Sequence, residues 1–133
     1  MKKNTRLKRI WPLYLILIVY ALYLISNVIQ EEVFNKPIIV LPENGDKIPY
    51  NQINLKWNEV EEASSYEVQI AETRDFENPT YHQNTQYSSY LLNAALDIDK
   101  KYYWRVRAVI NEEKKSWSFP KHFYTEEVKD IAS

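Results

Sequence analysis

The stretch from Tyr102 to Ile110 alternates strictly between two faces. Aromatic and aliphatic side chains occupy one face, namely Tyr102, Trp104, Val106, Ala108 and Ile110. The other face carries Tyr103, Arg105, Arg107 and Val109. A period of two residues is typical of a β-strand that lies with one face on a hydrophobic core. Such a strand needs neighbours in its own sheet and a second sheet over its apolar face, so the sequence predicts a small β-sandwich.

Length and composition limit what else the chain contains. A sandwich core takes roughly 90 to 100 residues, so a chain of 133 residues has room for one domain and an appendage. The absence of cysteine excludes a disulfide framework, a thiolate nucleophile and a cysteine zinc site. Five of the 17 basic residues lie in the first nine positions, which leaves 12 basic against 18 acidic residues in the remainder. Nucleic-acid binding needs a clustered positive surface, so this acidic domain argues against a nucleic-acid partner.

The twenty residues from Ile10 to Ile29 carry no charge. At about 1.5 Å per residue, a helix of this length spans roughly 30 Å, the thickness of a bilayer's hydrocarbon core. The sequence therefore predicts a transmembrane helix at 10–29, with Pro12 in its first turn and a basic tail at 1–9. The positive-inside rule places that tail in the cytoplasm and residues 31 onward on the outer side of the inner or plasma membrane.

A cleaved signal peptide begins in the same way, and Val19 and Ala21 form a candidate cleavage pair. The apolar run continues past that pair through Leu22 and Ile25. We therefore expect an uncleaved signal-anchor helix that tethers the domain to lipid. Cleavage is the alternative, and it would release a secreted domain.

Polar side chains recur along the predicted span. Tyr20, Tyr23, Asn27 and Gln30 are spaced by three, four and three residues, which places them on one helix face. Polar side chains are a recognised contact between helices in lipid, so we expect Tyr20, Tyr23 and Asn27 to bind an integral membrane protein. The alternative is that Asn27 and Gln30 simply mark the outer interface of the bilayer.

Short strands separated by turn signals follow a linker at 30–36. Strands are expected at 38–41, 53–57 and 66–70, around Tyr81, near 90–92, and at 102–110 and 118–125. The single glycine, Gly45, marks a turn at 43–47, and Pro120 places the last strand at a sheet edge. Residues 126–133 form a polar tail.

The outward side of the third strand carries Glu67 and Gln69. These side chains would oppose Arg105 and Arg107 if the two strands pair antiparallel, and such pairs help to set the register. Both arginines are also expected to stack with Trp117 and so to stiffen the sheet.

Several segments in order resemble a fibronectin type III domain of the kind found in bacterial extracytoplasmic proteins. They are INLKW at 53–57, ASSYEVQIAE at 63–72, Leu96 with Tyr102 as a tyrosine corner, YYWRVRAV at 102–109 and WSFPKHFYT at 117–125. The resemblance covers residues 37–125 and implies an all-β fold, a seven-stranded immunoglobulin-like sandwich behind one transmembrane helix. The sequence departs from the family at DIDKK, residues 97–101, where many relatives have a Pro-Gly turn.

The resemblance also implies which loops lie near the membrane. In that family the N-terminus shares a pole with the loops assigned here to 58–64 and 111–116, and the short linker holds this pole close to the bilayer. The loops carry Glu59, Glu61, Glu62, Glu112 and Glu113. An anionic bilayer repels carboxylates, so we expect them to contact a basic surface of a neighbouring membrane protein. The alternative is that they are ordinary solvated loops.

The sequence offers little for catalysis or for binding of a metal or cofactor. His82 and His122 stand apart, and a zinc site needs three or four ligands. Asp97 and Asp99 supply two carboxylates, which is fewer oxygen ligands than the roughly six to eight that calcium binds. The serines lack a nucleophile elbow, and one glycine cannot make a phosphate-binding loop. We therefore expect a protein that is not an enzyme and has no cofactor or metal.

The expected function is that of an accessory or scaffold subunit in a membrane protein complex. The alternative is a membrane-tethered module that binds glycan or cell-wall polymer through an aromatic set of Tyr81, Tyr87, Tyr90 and Tyr103, of which Tyr90 is expected in the core. A membrane-tethered glycan-binding module usually has a long mobile spacer, and the linker at 30–36 is short. The polar face of the predicted span favours the role of a subunit in a membrane protein complex.

Overall fold

A long apolar helix, α1 (Thr5–Ile29), leads into a β-sandwich in the structure, a computed structural model that describes residues 5–129. The side chains of residues 5–9, 31 and 32 are not described. Parts of two predicted segments therefore lie outside the described residues, namely 1–4 of the basic tail and 130–133 of the polar tail.

The helix α1 is apolar and exposed along the whole predicted span. From Ile10 to Ile29 no residue is buried by the rest of the protein. Because α1 begins at Thr5, Pro12 lies in the helix interior and not in the first turn as predicted. The helix continues as a π-helical turn, Gln30–Phe34, in which the Asn35 N–H donates to the Gln30 carbonyl at 3.3 Å. Most of the predicted linker is thus helical, which shortens its reach.

Within residues 5–129, nine strands form two sheets. They are β1 (Ile39–Leu41), β2 (Asp46–Pro49), β3 (Asn54–Trp57), β4 (Ser65–Ala71), β5 (Tyr81–Thr85), β6 (Ser89–Leu91), β7 (Lys101–Ile110), β8 (Glu113–Lys114) and β9 (Lys121–Glu126). The smaller sheet has the order β1-β3-β6, and the larger has the order β2-β9-β7-β4-β5 with β8 paired to the end of β7. All neighbouring strands are antiparallel except β2 and β9.

The two strands beyond the predicted seven are short. β2 begins within the predicted turn at 43–47, and β8 lies within the predicted loop at 111–116. The prediction that the last strand is an edge was wrong. Pro120 precedes β9, so the strand keeps its N–H groups, and β2 pairs along its outer side.

The predicted alternation of β7 is confirmed. Its five apolar side chains are buried, and the residues between them are partly exposed. Between the sheets the Trp57 ring meets Tyr66 edge-on at 5.4 Å and lies 6.3 Å from Trp104, measured between ring centroids. Aromatic pairs at these separations add to the stability that burial gives. The core is therefore built around an aromatic cluster that joins β3, β4 and β7.

The tyrosine corner is also present despite the DIDKK segment. The Asp97 N–H donates to the Tyr102 hydroxyl at 3.2 Å, and this bond fixes the loop that enters β7. The long strand then runs from this corner at one pole of the sandwich to Ile110 at the other. Its ten residues separate the two poles by about 30 Å.

Candidate functional site

Two loops and the end of the helical segment enclose a cleft at the pole that contains the N-terminus of the sandwich. The cleft has a volume of about 680 Å³. It is lined by Gln30, Phe34, Asn35, Glu59, Val60, Glu61, Glu62, Ile110, Asn111 and Lys115. We call this the acidic cleft, because three of its lining residues are glutamates. Glu112 and Glu113 lie on the adjoining hairpin.

The loop at 58–64 is held firmly in place. Val60 is buried, and its N–H donates to the hydroxyl of Tyr66 on β4 at 2.9 Å. At the end of the loop, the Ser64 N–H donates to the Val109 carbonyl on β7 at 2.9 Å. Glu59, Glu61 and Glu62 therefore project from a loop that is tied to both neighbouring strands.

The second wall is a tight hairpin between β7 and β8. Asn111 and Glu112 both have positive φ, at 50° and 66°, and Ile110 pairs with Glu113 across them. Two left-handed residues in a two-residue loop form the type I′ turn that matches the twist of antiparallel strands. Asparagine suits this conformation, whereas glutamate adopts it at a cost. The hairpin thus presents Glu112 and Glu113 in a fixed direction beside the cleft.

The cleft carries a negative surface with a lysine at its margin. Glu59, Glu61 and Glu62 line it together with Lys115, whose Nζ lies 3.0 Å from the Glu113 carboxylate. No cluster of three or more histidine, cysteine, aspartate or glutamate side chains suited to a metal occurs among residues 5–129 as described. Chemically, the arrangement suits a cationic group on a partner.

The polar face of α1 leads into this cleft. Tyr20, Tyr23 and Asn27 are exposed on the helix, and Gln30, the next member of the series, lines the cleft. Their spacing places all four within one face of the helix. The structure therefore makes the predicted helix face and the predicted acidic loops one continuous surface. Sequence reasoning had treated them as two separate sites.

A charged network on the outer face of the larger sheet supports the hairpin. Glu67 pairs with Arg107 and Gln69 with Arg105 in the antiparallel register of β4 and β7, as predicted. The buried Glu67 carboxylate also binds Lys114 of β8 at 2.7 Å. Burial alone would raise the pKa of Glu67, but hydrogen bonds from Lys114 and Arg107 outweigh it and hold the pKa below its ordinary value.

The predicted stack on Trp117 is present. The guanidinium carbons of Arg105 and Arg107 lie 4.3 and 4.2 Å from the Trp117 ring centroid, and Arg105 also lies 4.3 Å from the ring of Phe76. Each cation faces an aromatic ring within the distance at which such contacts are favourable. This cation-π stack stiffens the sheet, and Arg107 links it to the Glu67 carboxylate.

The tyrosines proposed as a sugar platform are not brought together. Tyr81 on β5 packs against the core, whereas Tyr103 points outward beside His122, with 6.0 Å between the ring centroids. Tyr87 is exposed in the loop before β6. The histidines are also separate, since His82 lies 3.8 Å from Glu67 and His122 packs between Tyr103 and Tyr124.

A second feature, which begins at this pole and extends along the side of the sandwich to the level of Val106 and Trp104 on β7, was not predicted from the sequence. Residues Val33, Lys36, Pro37, Ile38, Ile39, Phe119 and Lys121 line a shallow groove of about 400 Å³, which we call the apolar groove. Phe119 is 81% exposed and Ile38 68% exposed. The sequence signal for this exposure is weak, because Ile38 and Phe119 each adjoin a proline and lie in segments predicted as strands.

Comparison with known proteins concerns the sandwich alone. No family model and no curated protein matches the chain. Among solved structures, a fibronectin type III-like protein from Clostridium thermocellum is 21% identical, with a TM-score of 0.51 over 71% of this chain and 98% of its own. A fibronectin type III domain of human contactin 1 is 18% identical, with a TM-score of 0.55 over 73% of this chain and 82% of its own. The described sandwich therefore has the fibronectin type III fold.

Proposed function

We propose that this chain is a non-catalytic, single-pass membrane protein that serves as an accessory or scaffold subunit of a membrane protein complex. Helix α1 anchors it in a bacterial inner or plasma membrane with the N-terminus in the cytoplasm and the sandwich outside. The observation that carries the proposal is the continuous surface from Tyr20, Tyr23 and Asn27 through Gln30 into the acidic cleft.

The membrane anchor is supported by the exposure of α1. A helix that is apolar over most of its circumference is stable when it is surrounded by protein core or by lipid. No residue of the twenty-residue span is buried within the chain, so lipid or another membrane helix supplies its surroundings.

A protein partner is supported by the chemistry of the continuous surface. Anionic lipid repels the carboxylates of the cleft, while a basic extramembrane surface attracts them. Within the bilayer the hydroxyls of Tyr20 and Tyr23 gain a partner when another helix packs beside them. A single neighbouring membrane protein could contact both the polar face of α1 and the acidic cleft, if it has a polar helix face and a basic extramembrane surface.

The test is co-purification in mild detergent with two variants and a matched control. One variant replaces Tyr20, Tyr23 and Asn27 with leucine, and the other replaces the five glutamates at 59, 61, 62, 112 and 113 with lysine. The control replaces Glu43 and Glu77, which are exposed near the opposite pole, with lysine.

A partner recovered by the unchanged chain and by the control should fall by at least about tenfold with each variant, since a tenfold change corresponds to only about 1.4 kcal/mol of binding energy. The cleft variant should also lose the salt sensitivity of binding. Equal recovery from both variants and the control would contradict the proposal.

A further inference from the structure

We infer that the apolar groove rests on the interfacial layer of the outer leaflet and thereby tilts the sandwich on the membrane. This inference depends on the proposed anchoring of α1 and adds a second contact with lipid. The ligand chemistry is that of a phospholipid surface, with acyl chains below and anionic headgroups above.

The first argument is exposure of apolar area. Phe119, Ile38 and Val33 are 81%, 68% and 61% exposed, and all three line the groove. Large apolar side chains grouped in this way are unfavourable in water and mark a surface that another phase or protein covers.

The second argument is height above the bilayer. Val33 follows the end of the span at Ile29 by four residues, and the chain between them is helical. A rise of at most about 1.5 Å per residue puts Val33 within about 6 Å of the hydrocarbon edge. The headgroup region on each side of the bilayer is roughly 5 to 8 Å thick, so the groove begins inside it.

The third argument is charge. Lys36 and Lys121 line the groove, and the Nζ of Lys36 lies 4.8 Å from the Phe119 ring centroid. An aromatic ring beside an ammonium group is suited to the membrane interface, where the ring enters the apolar layer and the cation remains among phosphates. Anionic headgroups attract each such cation. The acidic cleft lies on the other side of the segment at 30–36, which connects α1 to the sandwich, and lipid repels it.

Together these features give the two sides of the membrane-facing pole opposite interactions with lipid. Lipid attracts the side that carries Val33, Ile38 and Phe119 and repels the side that carries the cleft glutamates. The sandwich therefore leans with the groove downward, which lifts the acidic cleft away from lipid and turns it toward a lateral partner.

The test uses the absence of cysteine from the chain, so that one cysteine can carry a fluorescent label. The full chain is labelled with nitrobenzoxadiazole in four single variants, Phe119→Cys, Ile38→Cys, Ile98→Cys and Leu17→Cys. Each is inserted in phosphatidylcholine vesicles with one quarter phosphatidylglycerol, and quenching by headgroup and acyl-chain spin-labelled lipid is measured. Ile98 is an exposed apolar control in the loop before β7, at the far pole, and Leu17 reports insertion of the span.

The expected result is at least twofold stronger headgroup quenching at positions 119 and 38 than at position 98. Replacing Lys36 and Lys121 with glutamate should reduce the quenching at 119. If the label at 17 is quenched by acyl-chain lipid but 119, 38 and 98 behave alike, the groove inference is overturned and the anchor stands. If the label at 17 is not quenched, the anchoring proposal fails and the groove inference fails with it.

Discussion

The acidic cleft and the apolar groove share one connecting segment but are built in different ways. Gln30, Phe34 and Asn35 face the cleft, whereas Val33 and Lys36 face the groove. The cleft loop at 58–64 is tied to β4 by the buried Val60–Tyr66 hydrogen bond and to β7 by the Ser64–Val109 hydrogen bond. The groove consists of exposed apolar side chains from segments that flank the strands. The contrast teaches that a charged surface for a specific partner needs fixed carboxylates, whereas contact with lipid needs only apolar area and nearby cations.

The largest expected effect is on the support of the cleft hairpin. Replacing Glu67 with alanine leaves Arg107 without its carboxylate and releases Lys114 of β8. We expect the free energy of unfolding to fall by about 2 kcal/mol, less than the loss of a fully buried pair because Lys114 is exposed. Urea unfolding measures this change. Gln69→Ala is the matched control on the same strand and should cost about 1 kcal/mol, since it removes a hydrogen bond but no charge.

The Glu67 carboxylate also makes the free energy of unfolding depend on pH. Its pKa in the folded chain lies below the ordinary value of 4.5, so its contribution is present above pH 4.5 and is lost as the pH falls through the folded pKa. The difference in unfolding free energy between the unchanged chain and Glu67→Ala should therefore shrink as the pH falls below 4.5. A difference that stays constant down to pH 3 would show that Glu67 does not titrate as described.

The next effect concerns the first wall of the cleft. Tyr66→Phe removes the hydroxyl that accepts from the buried Val60 N–H. An unsatisfied buried N–H costs about 1 to 3 kcal/mol, and we expect about 1.5 kcal/mol in urea unfolding. Tyr87→Phe, at an exposed tyrosine, should leave stability unchanged. Equal effects of the two substitutions would mean that the loop is not fixed by Tyr66.

A smaller effect of opposite sign is expected at the second wall. Glu112 has a φ of 66°, and glycine in its place gives the Asn-Gly pair that favours a type I′ turn. Relief of the left-handed strain exceeds the entropy that glycine loses, so Glu112→Gly should raise the unfolding free energy by about 0.5 kcal/mol. Thermal unfolding can detect this gain. A loss of stability would mean that the Glu112 side chain itself supports the hairpin.

The smallest effect on stability belongs to the groove. Phe119 is 81% exposed, so Phe119→Ala should change the unfolding free energy by less than about 0.5 kcal/mol in the absence of lipid. The buried Phe123→Ala is the contrasting control and should cost about 3 to 5 kcal/mol. A large loss at position 119 would give this ring a structural role and would weaken the contrast between the two regions.

Much of the sandwich could be predicted because the patterns that specify its strands lie within short stretches of sequence. The alternation in β7 predicted both its buried face and its outward arginines, and the polar face of β4 predicted that Glu67 and Gln69 would oppose Arg105 and Arg107 in an antiparallel pair. The tyrosine corner was predicted from Leu96 and Tyr102. The alternation follows from periodicity within one strand, the opposition follows from the polar faces of two strands, and the corner follows from the resemblance to the fibronectin type III family.

The missed features depend on contacts between distant segments. Nothing in the short sequence of β2 shows that it pairs in parallel with β9, and that pairing removed the predicted edge. The π-helical turn brings Gln30 to the cleft, which joins two surfaces that had seemed independent. The exposure of Phe119 and Ile38 likewise follows from how the segments flanking β1 and β9 pass each other.

The central claim is that an uncleaved α1 holds the sandwich outside the membrane, and one labelling measurement tests it directly. The Ile98→Cys chain is treated with a membrane-impermeant maleimide on intact protoplasts, and carbonate-washed membranes are then examined by intact-mass spectrometry. The account predicts a labelled chain that retains its N-terminal residues and stays in the membrane fraction. A labelled soluble chain that lacks α1, or a chain labelled only after lysis, would contradict it.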